Sequence, residues 1–419
     1  MKQITDHGAM KRHNQLTILR AVRDLGPVSR VKLQKETHVS WGTITSSVKE
    51  LLDKRIVREL GSVHTGVGRR PVELDMNTDH NFVVGLRLGG ANIHCALLDV
   101  KGRAIHELED LVSAHEQSEV IIRELFKAVD HVLEQTAVSL DKVAGIGIAA
   151  PGAIDVESGS CLYAPHHPHW RNVPLKTRFE DRYRVPCFVD HVNNCFALGE
   201  KLFGAGKGIS NFLCVLLGTG ISAGIIINDE VYRGVDCTSG EFGHISFNPE
   251  GPTCACGKKG CLETYASGPA IARMGIEAVN NNQAPMILEL ADGKVENITG
   301  ETVFEAARKG APEALKIFDT VGYYLGLGLS TLINLFNPEC IILCGGVSQS
   351  HEFFLPTLKK IVSEHAWPQA KKNIQICTLN HGAVFGAAGV VLKEIYEKGL
   401  LFDRQYLHPK ERTAAIEEG

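Results

Sequence analysis

One segment of the chain, residues 240–268, carries the side-chain types of a metal site. It contains one imidazole and three thiols within eighteen residues: His244, Cys254, Cys256 and Cys261. One nitrogen and three sulfur ligands complete a tetrahedral zinc shell, and the intervening glycines and proline permit the turns that this requires. Since four protein ligands leave no position for a reactive water, the pattern predicts a structural Zn²⁺ rather than a catalytic one. The alternative is a loop of unliganded thiols.

Two carboxylates flank these ligands in the sequence. Glu241 lies three residues before the histidine, and Glu263 lies two residues after the last cysteine. A histidine that binds a metal usually presents its other ring nitrogen to a hydrogen-bond partner. We therefore expect the metal to hold a recognition surface in shape, where a neighbouring small molecule can bind.

The composition is that of a globular protein with more than one domain. Of the 419 residues, 44% are hydrophobic and 22% are charged. No apolar run reaches membrane-spanning length and no signal-peptide core is present, so we expect a cytoplasmic protein with no membrane partner and with twelve reduced cysteines. Residues 1–80 carry 14 Lys+Arg against 9 Asp+Glu, a net +5, whereas the remainder carries 30 against 39, a net −9. This division predicts that only the N-terminal part meets a polyanion.

The N-terminal part has the pattern of a winged helix-turn-helix domain, which we assign to residues 1–75. Apolar spacing predicts helices over 15–25, 30–37 and 41–55, followed by two strands and a glycine-rich turn that form a wing. In such a domain the start of the last helix reaches base edges, so a double-stranded DNA operator is the expected partner. The alternative is a small helical packing domain with an exposed hairpin.

The residues expected to contact DNA lie on the third helix and at the wing tip. They are Ser40, Trp41, Thr43, Thr45, Ser46, Lys49, Arg69 and Arg70. The helix side chains can meet base edges, whereas the two arginines can enter a minor groove or hold phosphates.

The body alternates strands and helices and repeats one unit. A strand, a glycine turn and a second strand occur within 82–103 and again within 212–234. This repeat predicts an α/β fold with mixed sheets in two lobes, lobe 1 at 81–196 and lobe 2, with the zinc loop, at 197–397. A tail follows at 398–419, and we expect the C-terminal helix to pack back on lobe 1.

These pieces together resemble the ROK family, named for repressors, open reading frames and kinases. The most specific part is GH followed by CxCGxxGC and CLE, at residues 243–263. The resemblance covers nearly the whole chain and implies an actin-like, hexokinase-like body with a ligand cleft between duplicated lobes. It also implies a structural zinc at the four residues named above. Members with an N-terminal winged helix are sugar-responsive repressors, including those for xylose, glucose and N-acetylglucosamine.

Two departures from the family's kinases argue against phosphotransfer. Where kinases begin a DxGGT motif, this chain has Arg87, which removes a magnesium ligand and reverses the local charge. At the position of the aspartate that deprotonates the sugar, it has Val192, which cannot accept a proton. An alternative alignment would make Asp190 the base, at the expense of the match at Asn194 and Cys195.

The sugar-binding side is better preserved than the phosphate side. The resemblance implies that a sugar or sugar phosphate is bound by five residues: His191, Asn194, Glu241, His244 and Glu263. Carboxylates accept hydrogen bonds from vicinal hydroxyls, and a metal-oriented imidazole adds a directed contact. The alternative role for Glu241 and Glu263 is to restrain the zinc loop.

We therefore expect a sugar-responsive transcriptional repressor without catalytic residues. A homodimer or homotetramer would place two winged helices on one pseudo-palindromic operator. Sugar binding would close the cleft, move the lobes and lower operator affinity. One alternative is an ATP-dependent sugar kinase with a DNA-binding appendage, and another is a DNA-binding or docking protein that has no sugar ligand.

Overall fold

A computed structural model describes residues 7–62, 72–90, 92–112, 116–164, 167, 169–370, 373–376 and 382–403. The helices are α1 His7–Leu25, α2 Arg30–Thr37, α3 Trp41–Asp53, α4 Ser118–Thr136, α5 Leu175–Tyr183, α6 Val192–Phe203, α7 Glu263–Ala266, α8 Gly268–Asn280, α9 Pro285–Leu290, α10 Gly300–Arg308, α11 Pro312–Phe336, α12 His351–His365 and α13 Gly382–Lys393. The strands are β1 Val28–Ser29, β2 Val57–Ser62, β3 Val72–Met76, β4 Phe82–Leu88, β5 Asn92–Asp99, β6 Ala104–Leu111, β7 Val143–Ala150, β8 Ala153–Asp155, β9 Ser160–Tyr163, β10 Arg171–Val173, β11 Cys187–His191, β12 Phe212–Leu217, β13 Ile221–Ile227, β14 Glu230–Val231, β15 Cys340–Cys344 and β16 Asn373–Ile376. Across these residues, no helix is both long enough and apolar enough to span a bilayer.

The N-terminal head is a three-helix domain with a small sheet. Serine caps fix the starts of two helices: the Ser29 hydroxyl accepts the Lys32 N–H at 3.3 Å before α2, and the Ser40 hydroxyl accepts the Thr43 N–H at 3.3 Å before α3. Strands β1, β3 and β2 form an antiparallel sheet beside the helices. The helices and the wing strands therefore occur in the predicted order.

One detail of the head differs from the sequence-based expectation, and another lies outside the described residues. Helix α1 begins at His7, whereas the apolar pattern predicts a start at residue 15. The sequence pattern does not indicate the first turns because they are mostly exposed and have no apolar period. The wing tip, with Arg69 and Arg70, lies outside the described residues.

The body consists of two lobes with the same sheet topology. In lobe 1 the strand order is β6-β5-β4-β7-β11, and in lobe 2 it is β14-β13-β12-β15-β16. In each sheet the first three strands are antiparallel and the last two join in parallel. The duplicated order confirms the predicted α/β body of two related lobes.

Helix α13 lies against both the lobe 1 sheet and α6, and glycines make this close approach possible. A Cβ at Gly147 of β7 would lie 1.9 Å from the carbonyl oxygen of Ala387, and a Cβ at Gly386 would lie 1.7 Å from that of Cys195. Any larger residue at these positions would force the elements apart. The contact matters because α6 starts at the cleft between the lobes.

The head and α13 share one apolar cluster. It includes Leu19 and Val22 of α1 together with Val384 of α13 and Ile395 of the π-helical turn that follows α13. At its edge, Arg12 of α1 forms a bidentate ion pair with Asp403, with contacts of 2.6 and 2.9 Å. Lys101 of lobe 1 pairs with Asp75 of β3 at 2.6 Å. The head is therefore packed onto the body by apolar and charged contacts.

Candidate functional site

The four metal ligands predicted from the sequence lie together. One ligand atom from each of His244, Cys254, Cys256 and Cys261 falls within 4.8 Å of all the others. The Sγ atoms of Cys256 and Cys261 are 3.8 Å apart, and His244 Nδ1 is 3.6 Å from Cys254 Sγ. Zn–S bonds of about 2.3 Å in a tetrahedron place two sulfurs about 3.8 Å apart, so the cluster fits a zinc ion in spacing as well as in donor type.

The backbone of the loop explains how the ligands converge. The Cys254 N–H donates to the carbonyl of Lys258 at 2.7 Å, and the Gly257 N–H donates back to Cys254 at 2.9 Å. Gly260 has a φ of +65°, and a Cβ there would lie 1.6 Å from the Asn248 carbonyl oxygen. Only glycine fits this position, so the geometry requires the glycine at 260.

The imidazole of His244 stands between the thiols and the cleft. While Nδ1 faces Cys254, Nε2 lies 3.8 Å from a carboxylate oxygen of Glu241. Glu263 is buried: its Oε2 accepts the Ile221 N–H at 3.0 Å, and its Oε1 lies 3.8 Å from Cys254 Sγ. Glu263 therefore joins the loop to the β12–β13 hairpin, whereas Glu241 is exposed and more available to a ligand.

A cleft of about 920 Å³ lies between the lobes and includes these carboxylates. The residues that line it include His191, Val192, Glu241, His244 and Glu263, which we call the wall. They also include three glycine turns, Gly89–Gly90, Gly218–Gly220 and Gly345–Gly346, and Arg87. Ile271, Phe304 and Phe318 add an apolar part of the lining. The cleft thus combines hydrogen-bonding side chains with glycine turns, which can approach an anion closely.

No carboxylate stands at the predicted base position, which Val192 occupies at the start of α6. The alternative base, Asp190, accepts two hydrogen bonds on Oδ2 from Arg233, at 2.6 and 3.0 Å. Its Oδ1 accepts two more, from the Asn194 side chain and from the His191 N–H, both at 2.8 Å. Asp190 is buried and is not among the described residues that line the cleft. Burial acts to lower the pKa of Arg233, but the Asp190 carboxylate outweighs it, and the pKa is raised. The geometry leaves Asp190 without access to a sugar hydroxyl.

Two sugar-binding candidates have different surroundings. His191 lines the cleft and caps α6, where its Nδ1 accepts the Asn193 N–H at 3.4 Å. Asn194 is buried, donates to Asp190 and is not among the described residues that line the cleft. The sugar-binding role of Asn194 stays a prediction with less geometric support than the roles of the other four residues.

Sequence reasoning did not identify Arg233, which lies 43 residues from Asp190 in the chain and in the other lobe. Replacement of Arg233 by methionine should leave the buried Asp190 carboxylate without its cation and lower the free energy of unfolding by about 2–3 kcal/mol. The loss is smaller than for a fully buried pair because the Arg233 side chain is 29% exposed. Urea unfolding measures this change. As a control, Asp190→Asn combined with Arg233→Met should recover part of the loss, and a loss below about 0.5 kcal/mol in the single variant would contradict the role assigned to the pair.

The third helix presents the predicted DNA-contacting face. Trp41, Thr45 and Lys49 lie four residues apart on one exposed side of α3, whereas Ile44 and Val48 are buried on the other. Ser46 is exposed beside them, and Thr43 is partly buried. The Ser40 hydroxyl is engaged as the helix cap, so its first role is to start the helix.

Similarity to known proteins extends over most of the chain. The ROK family profile matches residues 83–394. The xylose repressor of Bacillus subtilis (strain 168) is 31% identical over 388 residues, which cover 92% of this chain and 96% of the repressor. A solved ROK family transcriptional regulator, described as a homologue of the E. coli MLC protein, superposes with a TM-score of 0.79 at 30% identity and covers 94% of this chain and 98% of that one.

Enzymes are also similar to this chain, but over a shorter length. The glucokinase of Halalkalibacterium halodurans is 35% identical over 316 residues, which cover 75% of this chain and 95% of the kinase. Nearly the whole glucokinase is thus matched by three quarters of this chain, whereas the xylose repressor is matched over nearly the full length of both.

Proposed function

The chain belongs to the ROK family, and from this premise we propose that it is a DNA-binding transcriptional repressor whose kinase-like body senses a sugar. One observation carries the proposal: a winged helix-turn-helix head is packed onto a body whose cleft has Val192 at the base position, while the nearby carboxylate, Asp190, is paired with Arg233. A general base typically contributes roughly 100- to 10,000-fold in rate, so this cleft is suited to binding rather than phosphotransfer.

The metal in this proposal is a structural zinc ion, held by His244, Cys254, Cys256 and Cys261. Its support is the donor set and the spacing of the ligand atoms, all within 4.8 Å. The ion would supply no reaction chemistry. It would fix the loop so that His244 Nε2 and Glu241 face the cleft in one orientation.

The sugar would bind along the wall, at His191, Glu241, His244 and Glu263, because these side chains line the cleft and can accept or donate hydrogen bonds. Helix α6 begins at this wall and packs on α13, which shares an apolar cluster with the head. A ligand that closes the cleft would therefore act on the head through two packed helices, which is the physical basis for coupling sugar to operator affinity.

The assembly and its place in the cell follow from the same proposal. Two copies of the head, in a homodimer or homotetramer, would read the two halves of a pseudo-palindromic operator. The protein would be cytoplasmic, and residues 1–75, 81–196 and 197–397 would serve as head, first lobe and second lobe.

The alternative function is that of an ATP-dependent sugar kinase. Two observations favour it: the similarity to a glucokinase and the glycine turns that line the cleft. Purified protein incubated with Mg-ATP and a panel of aldoses distinguishes the two. Sugar phosphate formed at turnover rates typical of kinases, about 1–100 per second, would refute the repressor-only proposal.

Replacement of Glu241 by glutamine tests the sensing half of the proposal. We expect the sugar concentration that releases operator DNA to rise about 10- to 100-fold, since a hydrogen bond to a charged group is worth roughly 1.5–3 kcal/mol. Operator affinity without sugar should not change. Fluorescence anisotropy of a labelled operator measures both quantities, and Glu250→Gln, an exposed change in the same loop but outside the cleft, is the control. A normal sugar response in Glu241→Gln would remove this residue from the site.

A further inference from the structure

Arg87 is a cation inside the cleft that no described carboxylate neutralises by direct contact. It lies near the end of β4, its side chain lines the cleft, and its Nε is buried without a hydrogen-bond partner among the described residues. No ion pair joins it to a carboxylate in the described part of the chain, although Glu109 lies near enough to act on it through space. Burial lowers the pKa of Arg87, and Glu109 opposes that shift. An uncompensated buried charge costs stability, so its presence favours a ligand that supplies the missing anion.

The surroundings of Arg87 suit a tetrahedral anion. The glycine turn that follows it meets the turn of lobe 2, since a Cβ at Gly90 would lie 2.9 Å from Thr219 Oγ1. A Cβ at Gly218 would find its nearest atom 4.0 Å away, and a Cβ at Gly346 would meet nothing within 4 Å. The cleft is therefore open above the backbones of Gly218 and Gly346. The Thr219 hydroxyl lies beside the turn that follows Arg87, and a Cβ at Gly89 of that turn would lie 2.9 Å from Arg87 Nη2.

The charges in this part of the cleft do not suit a magnesium-bound nucleotide. Mg²⁺ prefers oxygen ligands such as carboxylates, and a guanidinium repels it. The carboxylate that acts on Arg87 through space, Glu109, accepts a hydrogen bond from Asn92 and is exposed. Arginine binds phosphate through two parallel hydrogen bonds and needs no metal ion to do so.

Phe196 of α6 connects Arg87 with the wall of the cleft. Its guanidinium carbon lies 5.9 Å from the ring centroid of Phe196 on α6. Phe196 follows Val192, which lies on the sugar wall, by one helical turn, a rise of about 6 Å. Arg87 therefore lies beside the first turn of α6, the same turn that begins at the wall, and both line one cleft.

From these contacts we propose that the effector is a sugar phosphomonoester, with Arg87 binding its phosphate without a metal ion while the wall of His191, Glu241 and Glu263 binds its hydroxyls. This inference rests on the proposed function and specifies the ligand class of the same cleft. It distinguishes a phosphorylated sugar from the neutral sugar and from Mg-ATP.

Calorimetry on the full-length protein in magnesium-free buffer tests the proposal with matched pairs: aldoses and amino sugars against their terminal phosphate esters. For at least one pair we expect the ester to bind tenfold or more tightly than the neutral sugar. In Arg87→Gln this preference should fall below threefold, with neutral-sugar affinity within twofold of wild type. Arg123→Gln, which removes an exposed arginine of α4, should leave the preference intact, and Glu109→Gln should increase it by removing a repulsive charge.

Thermal melts with inorganic phosphate give a second readout that does not depend on the identity of the sugar. Millimolar phosphate should raise the melting temperature of wild type but not of Arg87→Gln, which should itself melt no lower than wild type without ligand. Equal affinity for sugars and their esters, or a phosphate preference that survives Arg87→Gln, overturns the inference. Operator release by neutral sugars alone would also overturn the inference but would leave the proposed repressor function intact. Failure of every sugar and ester to bind would overturn both the inference and the proposed sugar-sensing function.

Discussion

Cys256→Ser should lose its zinc and its response to sugar together. Wild-type protein is expected to hold about one zinc ion per chain, and the variant less than a tenth of that, because a hydroxyl is a poor replacement for a thiolate on zinc. Without the ion, the loop that carries His244 is no longer fixed against the β12–β13 hairpin. Zinc content by mass spectrometry and operator release by anisotropy measure the two losses.

The control for this variant is Cys237→Ser, because Cys237 is also partly exposed but lies outside the four-ligand cluster. It should keep both the zinc and the sugar response. Operator binding without sugar should survive in Cys256→Ser, since the head has its own apolar cluster together with α13. A Cys256→Ser protein that retains full zinc, or a wild-type protein that contains none, would contradict the structural-zinc proposal.

The cluster of four candidate metal ligands and the order of elements in the head could be predicted from the sequence because their determinants are local. The four ligands fall within eighteen residues, and the turns between them need glycine, as the φ of +65° at Gly260 illustrates. In the same way, Ser29 and Ser40 cap helices that start at the next residue. Local signals of this kind survive without knowledge of the tertiary structure.

The state of the cleft depends on distant contacts, and the sequence left it open. Whether Asp190 could act as a base was decided by Arg233, a residue of the other lobe that no spacing rule connects to it. The availability of Asn194 to a sugar likewise depends on a contact in the fold, because its side-chain amide donates a hydrogen bond to Asp190. The charge of Arg87 was visible in the sequence, but the absence of a described ion-pair partner is a property of the folded cleft.

Lys49→Glu is expected to weaken operator binding by about 2–6 kcal/mol. Lys49 lies on the exposed face of α3 with Trp41 and Thr45. Each contact to a base or phosphate is worth roughly 1–3 kcal/mol, and a two-fold complex loses it twice. The change should therefore reduce affinity roughly 30-fold or more.

The salt dependence of binding separates a direct contact from misfolding. Removing one phosphate contact from each head by Lys49→Ala should make the slope of log K against log salt shallower by about two, one for each contact. Lys359→Glu changes the same charge on the exposed face of α12 in the body and should leave the affinity unchanged. Because Lys49 does not line the cleft, sugar binding by calorimetry should be normal in both variants. Equal operator affinity in Lys49→Glu and Lys359→Glu would show that α3 is not the surface that reads DNA.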